Sequence, residues 1–283
     1  MILIADSGST KTSWCVSDSD NTGKFYSTNG INPFFRTTED IVAELRKDLL
    51  PKLKKEISAV YFYGAGVVNE EKADVIKNAL SQLFPGAALE VESDLLAAAR
   101  STLGAKSGIA CILGTGSNSC LYNGKAIVAH VPPLGFILGD EGSGAVLGRK
   151  LVGDYLKGIM PRNLSAKFKE KFPLQYANFL NSVYKEEKPN RFLAGFVPFL
   201  KENIEEEYCD QLVRNAFREF TDRNIAQYDG YKKLSVCFVG SVAFYFQEQL
   251  LEVLDEKNIT PGTIIKEPLL NLLHYHLQNS KDE

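Results

Sequence analysis

Residues 1–17 read MILIADSGSTKTSWCVS, in which an apolar strand leads into the tip Asp6-Ser7-Gly8-Ser9-Thr10-Lys11-Thr12 and then into a second strand. This order is typical of a β-hairpin. The tip offers a carboxylate that could bind a metal ion, small hydroxyl groups, a glycine, backbone N–H donors and a lysine cation. It therefore predicts a binding site for nucleotide phosphates.

A second hairpin of the same kind is predicted at residues 109–122, IACILGTGSNSCLY. Residues 7–9 align with residues 115–117 at an offset of about 108 positions, and similarity on that scale indicates two related halves rather than a short solenoid repeat. Neither tip has the spacing of a P-loop or the complete Gly-x-Gly-x-x-Gly dinucleotide pattern. Two such hairpins could hold one polyphosphate from both sides.

The composition is that of a globular protein. The chain has 283 residues, of which 45% are hydrophobic and 24% charged, and this length favours two domains. A net charge of −3 gives no general attraction for nucleic acid or an anionic membrane, so phosphate must be bound by a local arrangement. The N-terminal apolar stretch is interrupted by Asp6, fits neither a signal peptide nor a membrane span, and favours a cytoplasmic location.

The cysteines and histidines do not indicate a metal site. Five cysteines without a C-x-x-C pair argue against a disulfide framework and against a zinc or iron–sulfur site, and we expect most of them to be buried in strands or helices. The three histidines, at positions 130, 274 and 276, do not form a plausible ligand set.

Hydrophobic periodicity predicts an α/β arrangement in which helices cover a mixed sheet. Further strands are predicted at residues 25–28, 57–63, 88–91, 127–131, 234–239 and 263–266. Helices are predicted at residues 38–53, where Thr38 starts the helix, 70–83, from 95 onward, 145–155, 244–256 and from Pro268 onward. Residues 156–230 are helical, charged and aromatic, and we interpret Phe168, Phe172, Tyr176, Phe179 and Tyr184 as core contacts of a helical insertion.

Four motifs, in this order, resemble those of the sugar kinase/Hsp70/actin superfamily. Residues 6–12 resemble its phosphate-1 motif, residues 114–118 its phosphate-2 motif, residues 138–143 (LGDEGS) its sugar loop and residues 238–243 (FVGSVA) its adenosine motif. Within the superfamily the chain is most similar to the N-acetylglucosamine kinase branch, grouped with the BadF/BadG/BcrA/BcrD ATPases. The resemblance covers nearly the whole chain.

The resemblance implies two ribonuclease-H-like (actin-like ATPase) domains with a mixed sheet each and an interdomain cleft for ATP and sugar. The first domain would span residues 1–103, with a final helix at about 267–283 packing back on it. The second would span residues 104–266 and contain the helical insertion at about 156–230. Asn271 stands where relatives typically carry a glycine beside the second connecting helix.

The resemblance also implies a role for each matching position. The first tip and the second tip would face the ATP phosphates, Asp6 would hold Mg²⁺ through water, and Gly240-Ser241 would lie at the adenosine. The implied nucleotide-binding residues are Asp6, Gly8, Ser9, Thr10, Lys11, Thr12, Gly114, Thr115, Gly116, Gly240 and Ser241. The implied amino-sugar pocket consists of Asn32, Gly64, Ala65, Asn118, Asp140 and Glu141.

Asp94 is the predicted catalytic residue, at the head of a helix and in the position of the family's catalytic carboxylate. A sugar hydroxyl is a poor nucleophile, and a carboxylate within hydrogen-bond reach can accept its proton during phosphoryl transfer. The alternative role for Asp94 is a helix N-cap, which is a common use of aspartate.

The predicted function is an ATP-dependent amino-sugar kinase that uses Mg²⁺ and converts N-acetylglucosamine to its 6-phosphate. N-acetylmuramic acid, its anhydro form and glucosamine are alternative acceptors. An ATPase that activates a partner enzyme is a second class, although such proteins carry cluster-ligating cysteines that this chain lacks in a suitable pair. A sugar sensor with little catalysis is a third. Exposed aromatic residues in the insertion are compatible with a homodimer.

Overall fold

The computed structural model describes residues 1–8, 11–17 and 23–279. The chain divides into two compact units, one formed by Met1–Gly104 and the C-terminal segment that starts at Glu267, the other by Ala105–Lys266. Each unit is α/β and contains one five-stranded mixed sheet, which confirms the predicted fold class.

The first sheet contains the strands β1 (Ile2–Ser7), β2 (Lys11–Val16), β3 (Lys24–Asn29), β4 (Ala59–Gly64) and β5 (Ala88–Ser93). Its order is β3-β2-β1-β4-β5, with β1 antiparallel to β2 and parallel to β4. In the central strand, Leu3 and Ala5 face one hydrophobic cluster while Ile4 faces another, and all three are fully buried. The continuous apolar run at the N-terminus therefore reflects a strand covered on both faces.

The second sheet contains the strands β6 (Ser107–Leu113), β7 (Ser117–Asn123), β8 (Ile127–Val131), β9 (Ser235–Val239) and β10 (Thr260–Ile265). Its order is β8-β7-β6-β9-β10, and β6 is antiparallel to β7 and parallel to β9. This repeats the topology of the first sheet strand for strand. The two hairpins predicted from sequence are therefore equivalent parts of two related units.

The register corrects the predicted alignment of the two hairpins. The first hairpin closes with the pair Ser7–Thr12 and the second with the pair Leu113–Ser117. Ser7 is thus equivalent to Leu113, at an offset of 106 residues rather than about 108. The sequence alignment matched the polar residues at the tips. The second tip is one residue shorter than the first, counted between the two residues of the closing pair.

The helices of the described chain are α1 (Thr38–Asp48), α2 (Glu70–Leu83), α3 (Asp94–Leu103), α4 (Gly135–Leu138), α5 (Gly144–Leu156), α6 (Arg162–Lys171), α7 (Tyr176–Tyr184), α8 (Pro189–Ala194), α9 (Val197–Glu202), α10 (Glu207–Arg223), α11 (Ser241–Tyr245), α12 (Gln247–Glu256) and α13 (Leu269–Asn279). None of them is long and apolar enough to cross a membrane.

Helix α1 is shorter than the predicted helix at residues 38–53. Its cap is Thr37 rather than Thr38, because the Thr37 side chain accepts from Asp40 N at 3.2 Å and the Asp40 carboxylate accepts from Thr37 N. The helix ends at Asp48 and a short 3₁₀ turn, Leu50–Lys52, follows. Pro51 lacks an N–H group and cannot extend the helix.

Two other predicted boundaries differ in the second unit. The predicted helix at residues 244–256 is two helices, α11 and α12, because Phe246 leaves the helical conformation between them. Strand β10 begins at Thr260 rather than Thr263, since Pro261 lies on an edge strand, where its missing N–H group is tolerated.

Helix α13 packs on the first unit. Leu272 and Leu273 are fully buried in a cluster with Ile4 and Cys15, which lie on β1 and β2. Asn271 donates from Nδ2 to Ser101 O at 2.9 Å, so it links α13 to α3. The residue that departs from the family pattern therefore makes a polar contact between these two helices.

The insertion forms part of the core of the second unit. Phe168 is fully buried, and its ring centroid lies 5.6 Å from that of Phe196 and 5.1 Å from that of Phe199. Phe172 and Phe179 also pack in this cluster. The prediction is wrong for Tyr176 and Tyr184, which are 63% and 79% exposed. Formation of a homodimer through exposed aromatic residues of the insertion stays a prediction.

Candidate functional site

The first hairpin tip turns two of its hydroxyl groups inward. Ser7 Oγ lies 2.7 Å from Thr12 Oγ1, and both side chains are buried. Thr12 donates to Asn29 O at 3.0 Å, which leaves Ser7 as the donor to Thr12, and Ser7 Oγ accepts from Ile31 N at 3.0 Å. These bonds tie the hairpin to the segment that precedes Asn32. The described contacts therefore give Thr12 a supporting role and do not favour a direct contact with phosphate.

The outer part of the same tip is open. Gly8 N donates to Lys11 O at 3.0 Å, which closes the turn, and both residues are exposed. Ser9 and Thr10, which the sequence predicts as phosphate ligands, lie outside the described residues. Lys11 is thus a described cation at this tip that could reach a phosphate.

Asp6 and Asp94 form an acidic pair at the ends of β1 and β5. Burial, reinforced by the charges of Asp94 and Glu267 and opposed by Lys11, raises the pKa of Asp6 to about 7. Burial also raises the pKa of Asp94. The backbone N–H groups of Leu95 and of Asp94 itself oppose this shift, because they favour the charged carboxylate. Both carboxylates are therefore better proton acceptors than free aspartate.

Asp94 is not needed as a helix cap. The cap of α3 is Ser93, whose hydroxyl accepts from Leu96 N at 3.2 Å. Asp94 is the first residue of the helix, where the N-terminal partial positive charge favours an anion. The alternative interpretation of Asp94 as an N-cap is therefore wrong.

The Asn32 side chain packs so closely against residue 66 that this residue must be a glycine. The Asn32 side chain is buried, and Oδ1 accepts from Phe34 N at 2.9 Å. A Cβ atom added to Gly66 would come within 2.5 Å of Asn32 Oδ1, and Gly66 also has a φ of +88°. Ala65 N donates to Ser7 O at 2.9 Å, which fixes the Gly64-Ala65 segment beside β1. Gly66 is a supporting residue that sequence reasoning did not assign.

The sequence also did not predict a polar network that includes helix α3, the helix that begins at Asp94. Tyr63 OH lies 2.8 Å from His276 Nε2 and accepts from Arg100 at 2.7 Å, and Arg100 is also paired with Glu90. These residues join β4, β5, α3 and α13. Burial, aided by the charge of Arg100, lowers the pKa of His276 to about 3. His276 is therefore neutral and accepts the Tyr63 proton.

This network predicts that protonation of His276 in acid destabilises the first unit, an effect opposed by Asp6 and Asp94, whose raised pKa values make acid favour the folded state. The unfolded chain takes up a proton on His276 near pH 6.5, whereas the folded chain does so only near pH 3. The stabilisation is complete above pH 6.5 and is lost as the pH falls towards 3, by about 1.4 kcal/mol per pH unit. Urea unfolding of the wild type and of His276→Gln, followed by fluorescence of the buried Trp14, should show this difference in slope.

The control for this prediction is His274→Gln, because His274 lies on the same helix with an exposed side chain. It should follow the wild type at every pH. Parallel pH dependences for the wild type and His276→Gln would contradict the assignment.

The second hairpin tip is fixed by the start of helix α5. Gly144 N donates to Gly114 O at 2.8 Å and Ala145 N donates to Thr115 O at 3.0 Å. Ser143 caps the helix by accepting from Val146 N. The N–H groups at the start of α5 therefore hold this tip through its carbonyl groups.

A cavity of about 440 Å³ in the second unit brings the second tip and the adenosine motif together. Gly114 and Thr115 line one side and Ser241 another. Lining residues that sequence reasoning did not assign are Ala194, Val197, Pro198, Lys201, Glu202, Tyr245 and Phe246. Helices α8 and α9 of the insertion supply several of these, so the insertion forms a wall of the cavity as well as core.

Asp140 lies over the start of β7. Its backbone is left-handed, with φ of +54°, and its Oδ1 accepts from Ser117 N at 3.3 Å. Burial, opposed by the Ser117 N–H group and reinforced by Glu141, raises the pKa of Asp140 to about 6. A Cβ atom on Gly116 would lie 3.1 Å from Asp140 Oδ2. Gly116 thus leaves room for this carboxylate.

Glu141 is engaged by two residues that the sequence did not reveal. It is buried, one oxygen is paired with Arg223 Nε, and the other accepts from Asn224 Nδ2 at 3.2 Å. Both partners follow at the end of α10, more than eighty residues later in the chain. The described contacts therefore hold Glu141 in place beside Asp140, and a contact with sugar stays a prediction.

The comparison with solved structures decides the family. Over 99% of its length the chain is 45% identical to all of a protein from Porphyromonas gingivalis described as a "putative N-acetylglucosamine kinase", and the two structures agree with a TM-score of 0.94. The chain belongs to the N-acetylglucosamine kinase family. A structure of the same description from Chromobacterium violaceum is 18% identical over 97% of this chain and 98% of that one, with a TM-score of 0.75.

The fold of this N-acetylglucosamine kinase family member extends to more distant sugar kinases. A ROK family glucokinase from Streptomyces griseus, solved with glucose and AMPPNP, is 18% identical over 97% of both chains, with a TM-score of 0.56. That likeness concerns the fold. No family model matches the sequence, and no curated protein is matched either.

The described residues of this family member do not form a cluster that could bind a metal ion by itself. In residues 1–8, 11–17 and 23–279, no three His, Cys, Asp or Glu side chains gather as metal ligands. All five cysteines are buried, as expected.

Proposed function

We propose that this protein is an ATP-dependent amino-sugar kinase that transfers the γ-phosphate of ATP to the 6-hydroxyl of N-acetylglucosamine. The observation that carries the proposal is the Asp94 carboxylate. Ser93, and not Asp94, caps helix α3. Burial raises the pKa of Asp94. The charge of Asp94 also raises the pKa of Asp6. A carboxylate in this state is suited to accept a proton from a hydroxyl group.

In the proposed reaction Asp94 acts as the general base. The sugar hydroxyl oxygen forms a bond to the γ-phosphorus, the bond between that phosphorus and the leaving ADP oxygen breaks, and the hydroxyl proton passes to Asp94. The network of Tyr63, Arg100 and His276 supports this step because it fixes helix α3, on which Asp94 is the first residue.

Each unit, taken by itself, carries groups suited to MgATP. Lys11 and the tip at residues 114–116 offer a cation and backbone groups to phosphates, and the cavity at Ser241 has room for a nucleoside. Mg²⁺ usually keeps several waters and uses one or two protein carboxylates plus substrate phosphates, so Asp6 alone fits as its protein contact through water. When bound, Mg²⁺ would neutralise charge on the phosphates.

The acceptor side offers acidic and amide groups to a sugar. Asp140 supplies a buried carboxylate, Asn118 supplies amide N–H donors, and Asn32 supplies a second side-chain amide. These groups suit hydroxyls and an N-acetyl substituent. N-acetylmuramic acid, its anhydro form and glucosamine remain alternative acceptors because they present most of the same hydroxyls.

The experiment is an ADP-release assay with MgATP and, in turn, N-acetylglucosamine, N-acetylmuramic acid, glucosamine and glucose. We expect N-acetylglucosamine to stimulate ADP release most. ATP hydrolysis that no sugar stimulates would support an ATPase that activates a partner instead. Sugar binding without ADP release would support a sensor.

A further inference from the structure

The side chain of Asn118 has a fixed orientation. Asn118 lies on β7, and its Oδ1 is 2.9 Å from the backbone nitrogen of Ser119. A backbone N–H group can only donate, so the amide atom that faces it must be the oxygen. This contact sets which end of the Asn118 amide is the oxygen and which is the nitrogen.

His130 strengthens that orientation. His130 lies on the neighbouring strand β8 and is paired with Cys120 of β7. Asn118 lies two residues before Cys120 on β7, so Asn118 and His130 are diagonal neighbours on the same face of the sheet. His130 Nε2 is 2.8 Å from Asn118 Oδ1. Because that oxygen can only accept, His130 carries its proton on Nε2 and donates it. Burial lowers the pKa of His130, which keeps the ring neutral near pH 7.

The contacts leave the amide nitrogen of Asn118 for a ligand. Its oxygen is occupied by Ser119 and His130, and the side chain is half-buried. Among the described residues, no hydrogen bond from Asn118 Nδ2 is formed. The side chain thus presents two N–H donors and no free acceptor.

The neighbouring carboxylates offer hydrogen-bond acceptors, whereas Asn118 offers donors. Ionised Asp140 and Glu141 can only accept hydrogen bonds, which suits hydroxyl groups. The carbonyl oxygen of an N-acyl group can only accept, so it needs a donor, and Asn118 supplies one. The ammonium group of a free amino sugar can only donate, and it would meet the two donors of Asn118.

We propose that His130 is a positioning residue that holds the Asn118 amide with its nitrogen free for the acceptor, and that this contact raises the affinity for an N-acylated sugar specifically. The inference rests on the proposed function, since it assigns a positioning residue to the same site. His130 acts through Asn118 and does not itself touch the sugar.

The test compares kcat and KM for N-acetylglucosamine and glucosamine at pH 7.0 with saturating MgATP. In His130→Phe, the loss of one hydrogen bond should raise KM for N-acetylglucosamine about two- to tenfold, leave kcat unchanged and leave glucosamine kinetics unaltered. His130→Gln retains a donor and should restore KM to near the wild-type value. Asn118→Asp exchanges the donor for an acceptor and should shift the preference towards glucosamine.

The matched control is His274→Phe, which replaces an exposed histidine on α13. It should leave both sugars unaffected, and thermal melts of all variants check folding. Equal changes for the two sugars in His130→Phe, or no change for N-acetylglucosamine, would overturn the inference while leaving the proposed function intact. A wild-type protein that phosphorylates neither sugar would overturn the proposed function, and this inference with it.

Discussion

Replacing Asp94 with asparagine should lower kcat by about 10²- to 10⁴-fold while ATP and the acceptor sugar still bind. Asparagine has nearly the shape of aspartate but cannot accept the hydroxyl proton. The helix should be retained, because Ser93 provides the cap of α3 and does not depend on the Asp94 carboxylate. The measurements are steady-state kinetics for kcat and calorimetric titration for the two binding constants.

The matched control is Asp74→Asn, which alters an exposed carboxylate on helix α2. It should have wild-type kinetics. An Asp94→Asn protein with wild-type turnover would refute the assignment of the base. A loss of sugar binding equal to the loss of turnover would instead assign Asp94 a binding role.

Replacing Gly240 with alanine should destabilise the second unit by about 1–3 kcal/mol and weaken ATP binding. Gly240 has a φ of +125°, and an added Cβ atom would overlap the carbonyl oxygen of Leu113, a rigid backbone group on β6. Gly240 N also donates to Ile265 O at 3.0 Å. Relief of the overlap must move the residue before Ser241, which lines the cavity next to Gly114 and Thr115.

Gly153→Ala is the control for this substitution. Gly153 lies inside helix α5 with open space where its Cβ atom would be, so alanine there should stabilise the helix by about 0.5–1 kcal/mol. Thermal unfolding and ATP titration of both variants test the pair. Equal melting temperatures for Gly240→Ala and the wild type would contradict the predicted clash.

The sequence predicts the sheets well because their signals are local. The N-terminal hairpin, the second hairpin and strand β8 each combine a run of apolar or β-branched residues with a glycine-containing turn. Helix α2 begins and ends as predicted, at Glu70 and Leu83, since Asn69 caps it and Pro85-Gly86 follows its end. The order of these elements, together with the four motifs, indicates the α/β class and the family.

The supporting contacts of the site depend on the folded chain. Glu141 meets Arg223, and Tyr63 meets His276, across separations of 82 and 213 residues. No local pattern indicates such pairs. The cavity wall from α9 was missed for a related reason: Val197 and Pro198 resemble ordinary core residues until the packing of the insertion is known. The amide orientation of Asn118 likewise requires the register of β7 and β8.

The most direct test of the central claim is to identify the product by phosphorus NMR after incubation of the protein with MgATP and N-acetylglucosamine. We expect a phosphate monoester on the 6-hydroxyl, whose phosphorus couples to the two protons of carbon 6, formed in equal amount with ADP. The Asp94→Asn protein should form it far more slowly. ADP together with inorganic phosphate, and no sugar phosphate, would show that the protein is not a sugar kinase.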